Sequence, residues 1–186
     1  MTPRHASAQE AIAAVVALPR GRTVLVGIDG FGGSGKSTLA RRIAAEVPAS
    51  VVVEVDDFSG PSVADCAWEW HRLRAQVLVP LLAGRPGRYQ RWDWRSDSAG
   101  EWLDVPVGRT VLIEGVSSTR QEVAAPWDLT IWVDAPRDLR LQRALDRDGA
   151  DMLDRWLTDW MPSEEAYAAR ERPQERVDLI VRGSEL

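Results

Sequence analysis

The sequence has no asparagine, one cysteine and one lysine, the last against 22 arginines. Without asparagine, the Asn-Lys-x-Asp element by which switch GTPases read guanine cannot be built. The metal-binding asparagine of a protein-kinase catalytic loop is excluded on the same ground. A lone cysteine, Cys66, cannot close an internal disulfide, which fits a reducing compartment. Long apolar runs are also missing. "AIAAVVAL" (11–18) is far too short to span a bilayer and follows Glu10 rather than a basic flank, so a cytoplasmic protein with no membrane partner is expected. Nor is there an excess of positive charge: the formal net charge is −5, which gives no general affinity for nucleic acid or anionic lipid.

What is present suffices for one domain over residues 1–186, with 45% hydrophobic positions to fill a core. Ser7 and Glu10 form a capping box ahead of a short helix that Pro19 follows. Five runs rich in β-branched and aliphatic residues come after it: "TVLVGI" (23–28), "VVVEV" (51–55), "TVLIE" (110–114), "LTIWV" (129–133) and "VDLIV" (177–181). They alternate little, as strands covered on both faces do, and helical segments separate them. A parallel α/β sheet with right-handed crossovers is expected. The pattern is lost over 85–102, inside the longest connection between strands.

The one lysine falls in "GIDGFGGSGKSTLA" (27–40). Gly30, Gly35, Lys36 and Ser37 fit G-x-x-x-x-G-K-[ST] between an apolar strand and a helical run, the context that a P-loop requires. Glycines let the backbone turn its N–H groups around a polyphosphate, so Gly30, Gly32, Gly33, Ser34, Gly35, Lys36, Ser37 and Thr38 are the expected nucleotide cradle. The helix start adds its positive end, and Ser37 offers a hydroxyl to Mg²⁺. Lys36 places a compact ammonium on a flexible stem against the β and γ phosphates, where a broad guanidinium does not fit.

Other strand ends aim carboxylates at the same edge, where parallel α/β folds bind ligands. In "EVDDFSG" (54–60), one of Asp56 and Asp57 could take the proton of a substrate hydroxyl while the other helps to hold Mg²⁺ through water; a solvated Asp-Asp turn is the bland alternative. Glu114, ending the third strand, could anchor the metal's water shell. In "VDAPRDLRLQRALDRDGA" (133–150), Asp134 is a plausible N-cap, and Arg140, Arg143 and Arg147 recur on one helix face. That row could clamp transferring phosphates or simply be a solvated face paired with Asp146, Asp148 and Asp151. Trp68, Trp70, Trp92, Trp94 and Trp102 crowd the region between the second and third strands, either to stack on a ligand or to fill the core. Arg88, Arg91 and Arg95 there could meet an anionic acceptor, and His71 reads as a surface or packing residue.

In this order the pieces resemble the uridine kinase and phosphoribulokinase family of P-loop small-molecule kinases, over about residues 22–182. The resemblance rests on "GIDGFGGSGKST", "VDDF", "VLIEGV", "VDAPRDLRLQRALDRD" and the closing "ERPQERVDLIV". It implies a three-layer P-loop NTPase fold with a five-stranded, mostly parallel sheet and helices on both faces. A substrate region would occupy about 59–105 and a lid about 137–160. It further implies ATP and Mg²⁺, Asp56 as general base with Asp57 as fallback, Glu114 near the metal, and Arg147 with Arg143 as lid arginines. The acceptor would be a nucleoside or related sugar-containing metabolite, with no nucleic-acid partner and room for a homo-oligomer. Three departures bear on substrate: Ala144 stands where the family has the second of an arginine pair, "DGADMLDRW" lacks the Arg-Gly-Arg stretch that Arg155 could replace, and Trp92 precedes Asp93 where tyrosine is usual. A protein that binds ATP only as a regulatory ligand is the alternative reading.

Overall fold

The computed structural model describes residues 2–59 and 68–186; Cys66 and residues 60–67 of the expected substrate region lie outside the described residues. In chain order the elements are β1 (Arg4–Ala6), α1 (Ala8–Val16), β2 (Val24–Gly30), α2 (Lys36–Glu46), β3 (Val51–Glu54), α3 (70–82), β4 (Gly87–Asp93), β5 (Ser98–Val105), β6 (Thr110–Glu114), β7 (Leu129–Asp134), α4 (Arg137–Asp148), α5 (153–171) and β8 (Leu179–Arg182). Both α3 and α5 contain one π-helical turn, Arg74–Leu78 and Trp156–Trp160.

Six strands form one parallel sheet in the order β1-β8-β7-β2-β6-β3. The five apolar runs are all in it, and β2 is buried along its whole length, as a central strand covered on both faces must be. The expected count of five is corrected to six by β1. Its sequence, Arg-His-Ala, is too short and too polar to stand out as an apolar run, and β8 supplies the pairing that makes it a strand. From Gly87 onward, the residues over which periodicity failed fall within an antiparallel hairpin of β4 and β5 with a register shift between Gln90 and Trp92. That bulge breaks the period of two on which strand reading depends.

The Ser7 and Glu10 capping box opens α1. At α4 the N-cap is Pro136, a correction to Asp134, which is still in β7 and paired with Arg182. The core has two main parts. One, of Val26, Ile28, Leu39, Ile43, Ile131 and neighbours, sits under α1 and α2. The other, of Val53, Phe58, Leu73, Val77, Tyr89 and Ile113 among others, lies under α3 and the hairpin. Burial on both faces fixes the register, so the C-terminal ends of β2, β3, β6 and β7 meet at one edge.

Candidate active site

Residues 31–35 link β2 to α2 at that edge. Gly33 has φ +72°, and a Cβ there would lie 2.4 Å from the Arg140 carbonyl oxygen of α4, so only glycine lets the loop pass. No side chain caps the start of α2, whose first turn leaves backbone N–H groups for an anion. Lys36 is buried, and its ammonium donates to the Phe31 carbonyl at 2.9 Å, which lays the side chain back across its own loop. Ser34 is fully buried with its hydroxyl unpartnered, and Thr38 accepts from Arg41 at 3.4 Å. Glycine-only contacts and an uncapped helix start fit a polyphosphate.

Register brings Glu114 beside Ile28 on one side and Glu54 on the other. Its carboxylate is buried and pushed up by that burial, while Lys36 and a hydrogen bond from Ser37 pull it back. A solvent-exposed hydroxyl joined to a buried carboxylate is a hard oxygen donor set, so Ser37 and Glu114 fit Mg²⁺.

The two aspartates after β3, in the turn Val55–Phe58, go different ways. Asp57 accepts from the Tyr89 hydroxyl at 2.9 Å and has Arg91 3.9 Å away, so it faces the hairpin. Asp56 is exposed to solvent. Surrounding protein pushes its carboxyl above the usual range, and Lys36 and Arg147 draw it down. Burial likewise raises Asp57, against the pull of Tyr89 and Arg91.

The arginine row of α4 divides. Arg147 is held by Asp148 through two hydrogen bonds of 2.7 and 2.9 Å, and Asp148 also accepts from the Trp156 indole at 3.1 Å. Arg143 donates to the carbonyls of Gly183 (3.0 Å) and Gly33 (3.5 Å), so it braces the back of the loop. Arg140 is buried over the Phe31 ring, 4.1 Å from its centroid. Arg155 lies over Trp160. Of the tryptophans between β3 and β6, Trp70 and Trp92 are core. Trp68 and Trp94 meet edge to face, Trp94 more than half exposed, and Trp68 donates to the Val116 carbonyl near Glu114. Trp102 is exposed under Arg88, and His71 is exposed.

Two buried acids escaped the sequence reading. Asp29, next to Gly30, accepts from the N–H groups of Gly30, Ser117 and Thr119 and from the hydroxyls of Thr119 and Tyr167. Glu164 accepts the Gly32 N–H at 3.0 Å. Asp29 stood inside the quoted motif as an acid in an otherwise apolar strand, a signal that could have found it; Glu164 carried none.

No family model matches the chain. A uridine kinase of Borrelia turicatae is 27% identical over 179 residues, covering 84% of this chain and 85% of that protein. Among solved structures, a candidate fructose transport system kinase of Silicibacter sp. TM1040 superposes with a TM-score of 0.74 at 21% identity, over 94% of this chain and 98% of the other. A possible uridine kinase of Bacillus stearothermophilus gives 0.70 at 20% identity, over 94% and 96%. Likeness in sequence along most of the chain and likeness in fold point the same way: this is an ATP-dependent small-molecule kinase, similar to the uridine kinase and phosphoribulokinase-like P-loop kinases.

Proposed function

We propose that the protein transfers the γ-phosphoryl group of ATP to a hydroxyl of a nucleoside or related sugar-containing metabolite, with Asp56 as general base. The observation that carries this reading is the setting of Asp56: an ionisable carboxylate open to solvent, whose charge Lys36 and Arg147 favour, beside a neighbour already engaged by Tyr89. Bound Mg-ATP supplies the transferable phosphoryl group and the cation that offsets its charge.

The chain's own groups do the rest. Residues 30–38 receive the phosphates, Lys36 exchanging the Phe31 carbonyl for phosphate oxygens. Ser37 and Glu114 would hold the Mg²⁺ that accompanies the nucleotide. Asp56 orients the acceptor hydroxyl and takes its proton. Arg147 leaves Asp148 to meet the charge that develops on the transferring group. Asp57, with Tyr89 and Arg91, lines the acceptor side between the turn after β3 and the hairpin. The uridine kinase relative and the exposed Trp94 support an acceptor that carries a ring and a sugar.

The test is ADP release from Mg-ATP across a panel of nucleosides, other ribosides, pantothenate and sugar phosphates, with Lys36→Ala as blank. Release stimulated by one nucleoside in the wild type alone is the expected result. ATP binding with no acceptor-stimulated release would replace this reading by that of a nucleotide-binding regulator.

A further inference from the structure

Glu164 has no part in the mechanism above, yet it touches the loop on which the mechanism depends. It lies in α5 and is 2% exposed. Its Oε2 accepts the N–H of Gly32, and a Cβ on Gly32 would meet both Glu164 Oε1 and the Trp156 ring at 2.7 Å, so carboxylate and indole press on the loop.

Charged groups face it from every packed element: Lys36 from the start of α2, Asp56 from the turn after β3, and Arg140 and Arg147 from α4. Arg140 Nη1 is 3.7 Å from Oε2 without forming a hydrogen bond. On its own helix, Glu165 is turned away to Arg137 at 3.1 Å. Burial pushes the Glu164 carboxyl up; Lys36, the Gly32 N–H and Arg140 pull it down, and Asp56 raises it.

A carboxylate that accepts a P-loop N–H within the field of the P-loop lysine occupies the chemistry of a phosphate oxygen. We propose that Glu164 is an internal anion that competes with nucleotide phosphates for the P-loop and sets the loop's nucleotide affinity through its charge. The inference rests on the reading of residues 30–38 as the ATP cradle. An incoming polyphosphate must displace Glu164 or leave a proton on it, and either event weakens binding while the carboxylate is ionised. Glutamine removes the charge and still offers an amide oxygen to the Gly32 N–H.

The experiment is calorimetry of Mg-ATP, without acceptor, on the wild type, Glu164→Gln, Asp56→Asn and Lys36→Ala. Glu164→Gln is expected to bind about tenfold tighter than wild type at neutral pH, with the gap narrowing on acidification, because burial raises the Glu164 carboxyl above its ordinary value. Titrations in two buffers of different ionisation enthalpy should show proton uptake on binding by the wild type; uptake should persist in Asp56→Asn, which removes one of the other carboxylates near the loop, and be smaller in Glu164→Gln. Equal or weaker binding by Glu164→Gln overturns the proposal. Should that variant not fold, absence of proton uptake in Asp56→Asn overturns it equally. Failure of the wild type to bind ATP, or undiminished binding by Lys36→Ala, overturns the cradle reading and this inference with it. Binding without phosphoryl transfer to any acceptor overturns the kinase assignment of residues and leaves this inference standing.

Discussion

The Tyr89 hydroxyl donates to Asp57 Oδ2 at 2.9 Å, and this contact separates the roles of two adjacent aspartates. With Asp57 turned to the hairpin and Arg91, Asp56 is the one whose charge Lys36 and Arg147 favour. The field around the pair follows from this arrangement. Burial and the neighbouring carboxylate raise the Tyr89 phenol well above its ordinary value, so it stays a donor.

Asp56→Asn should lower kcat by roughly 10²- to 10⁴-fold, the span that general-base catalysis contributes, and leave ATP binding in place. In the wild type the base works only when ionised. Because its carboxyl is raised above the ordinary 3.8, kcat should fall on acidification at a higher pH than an unperturbed aspartate would give. A kcat profile against pH, with acceptor saturating, checks both; unchanged turnover in Asp56→Asn moves the base to Asp57.

The same variant should be more stable, not less. Glu54 and Glu114 are both raised by burial and by the charge of Asp56. A carboxyl raised on folding binds more protons in the native than in the unfolded state, so its contribution to stability is largest at low pH and shrinks as pH rises toward the folded value. Removing the Asp56 charge should therefore raise Tm by roughly 2 °C near neutrality and by little near pH ~4. A lower Tm at neutral pH would contradict the like-charge account.

Tyr89→Phe should act on the acceptor, not on ATP. It deletes one hydrogen bond to a carboxylate, of about 1.5–3 kcal/mol in strength, and frees Asp57 to turn. The acceptor KM should rise about tenfold while the KM for ATP stays near wild type. Equal rises in both would show that the contact supports the whole cleft.

Gly33→Ala should abolish nucleotide binding. It strains a left-handed residue and drives a methyl to within 2.4 Å of the Arg140 carbonyl oxygen, which is backbone and cannot yield cheaply. Fluorescent ATP binding, with circular dichroism to confirm the fold, reads the result; wild-type affinity would mean that α4 moves freely from the loop.

Asp29→Asn should destabilise the fold by about 2–4 kcal/mol, because the amide nitrogen must face a backbone N–H whichever oxygen it replaces. Asp29 joins β2, the turn at 117–119 and Tyr167 of α5, so urea unfolding should shift to a lower midpoint with the same slope. A neutral effect would show that the buried carboxyl is already protonated.

The sequence by itself determined the glycine-rich loop between β2 and α2, the acids after β3 and at the end of β6, and five of the six strands, because each is written in consecutive residues whose local conformation suffices. The strand β1 and the bulged hairpin were not legible, since one depends on an edge partner and the other breaks its own period. Only the tertiary structure decided which aspartate Tyr89 engages, that Arg143 braces backbone while Arg147 pairs with Asp148, and that Glu164 reaches a loop 132 residues away. Those outcomes depend on how α4, α5 and the hairpin settle against the sheet edge. No local pattern records that packing, because it is the balance of burial and charge among segments far apart in the chain.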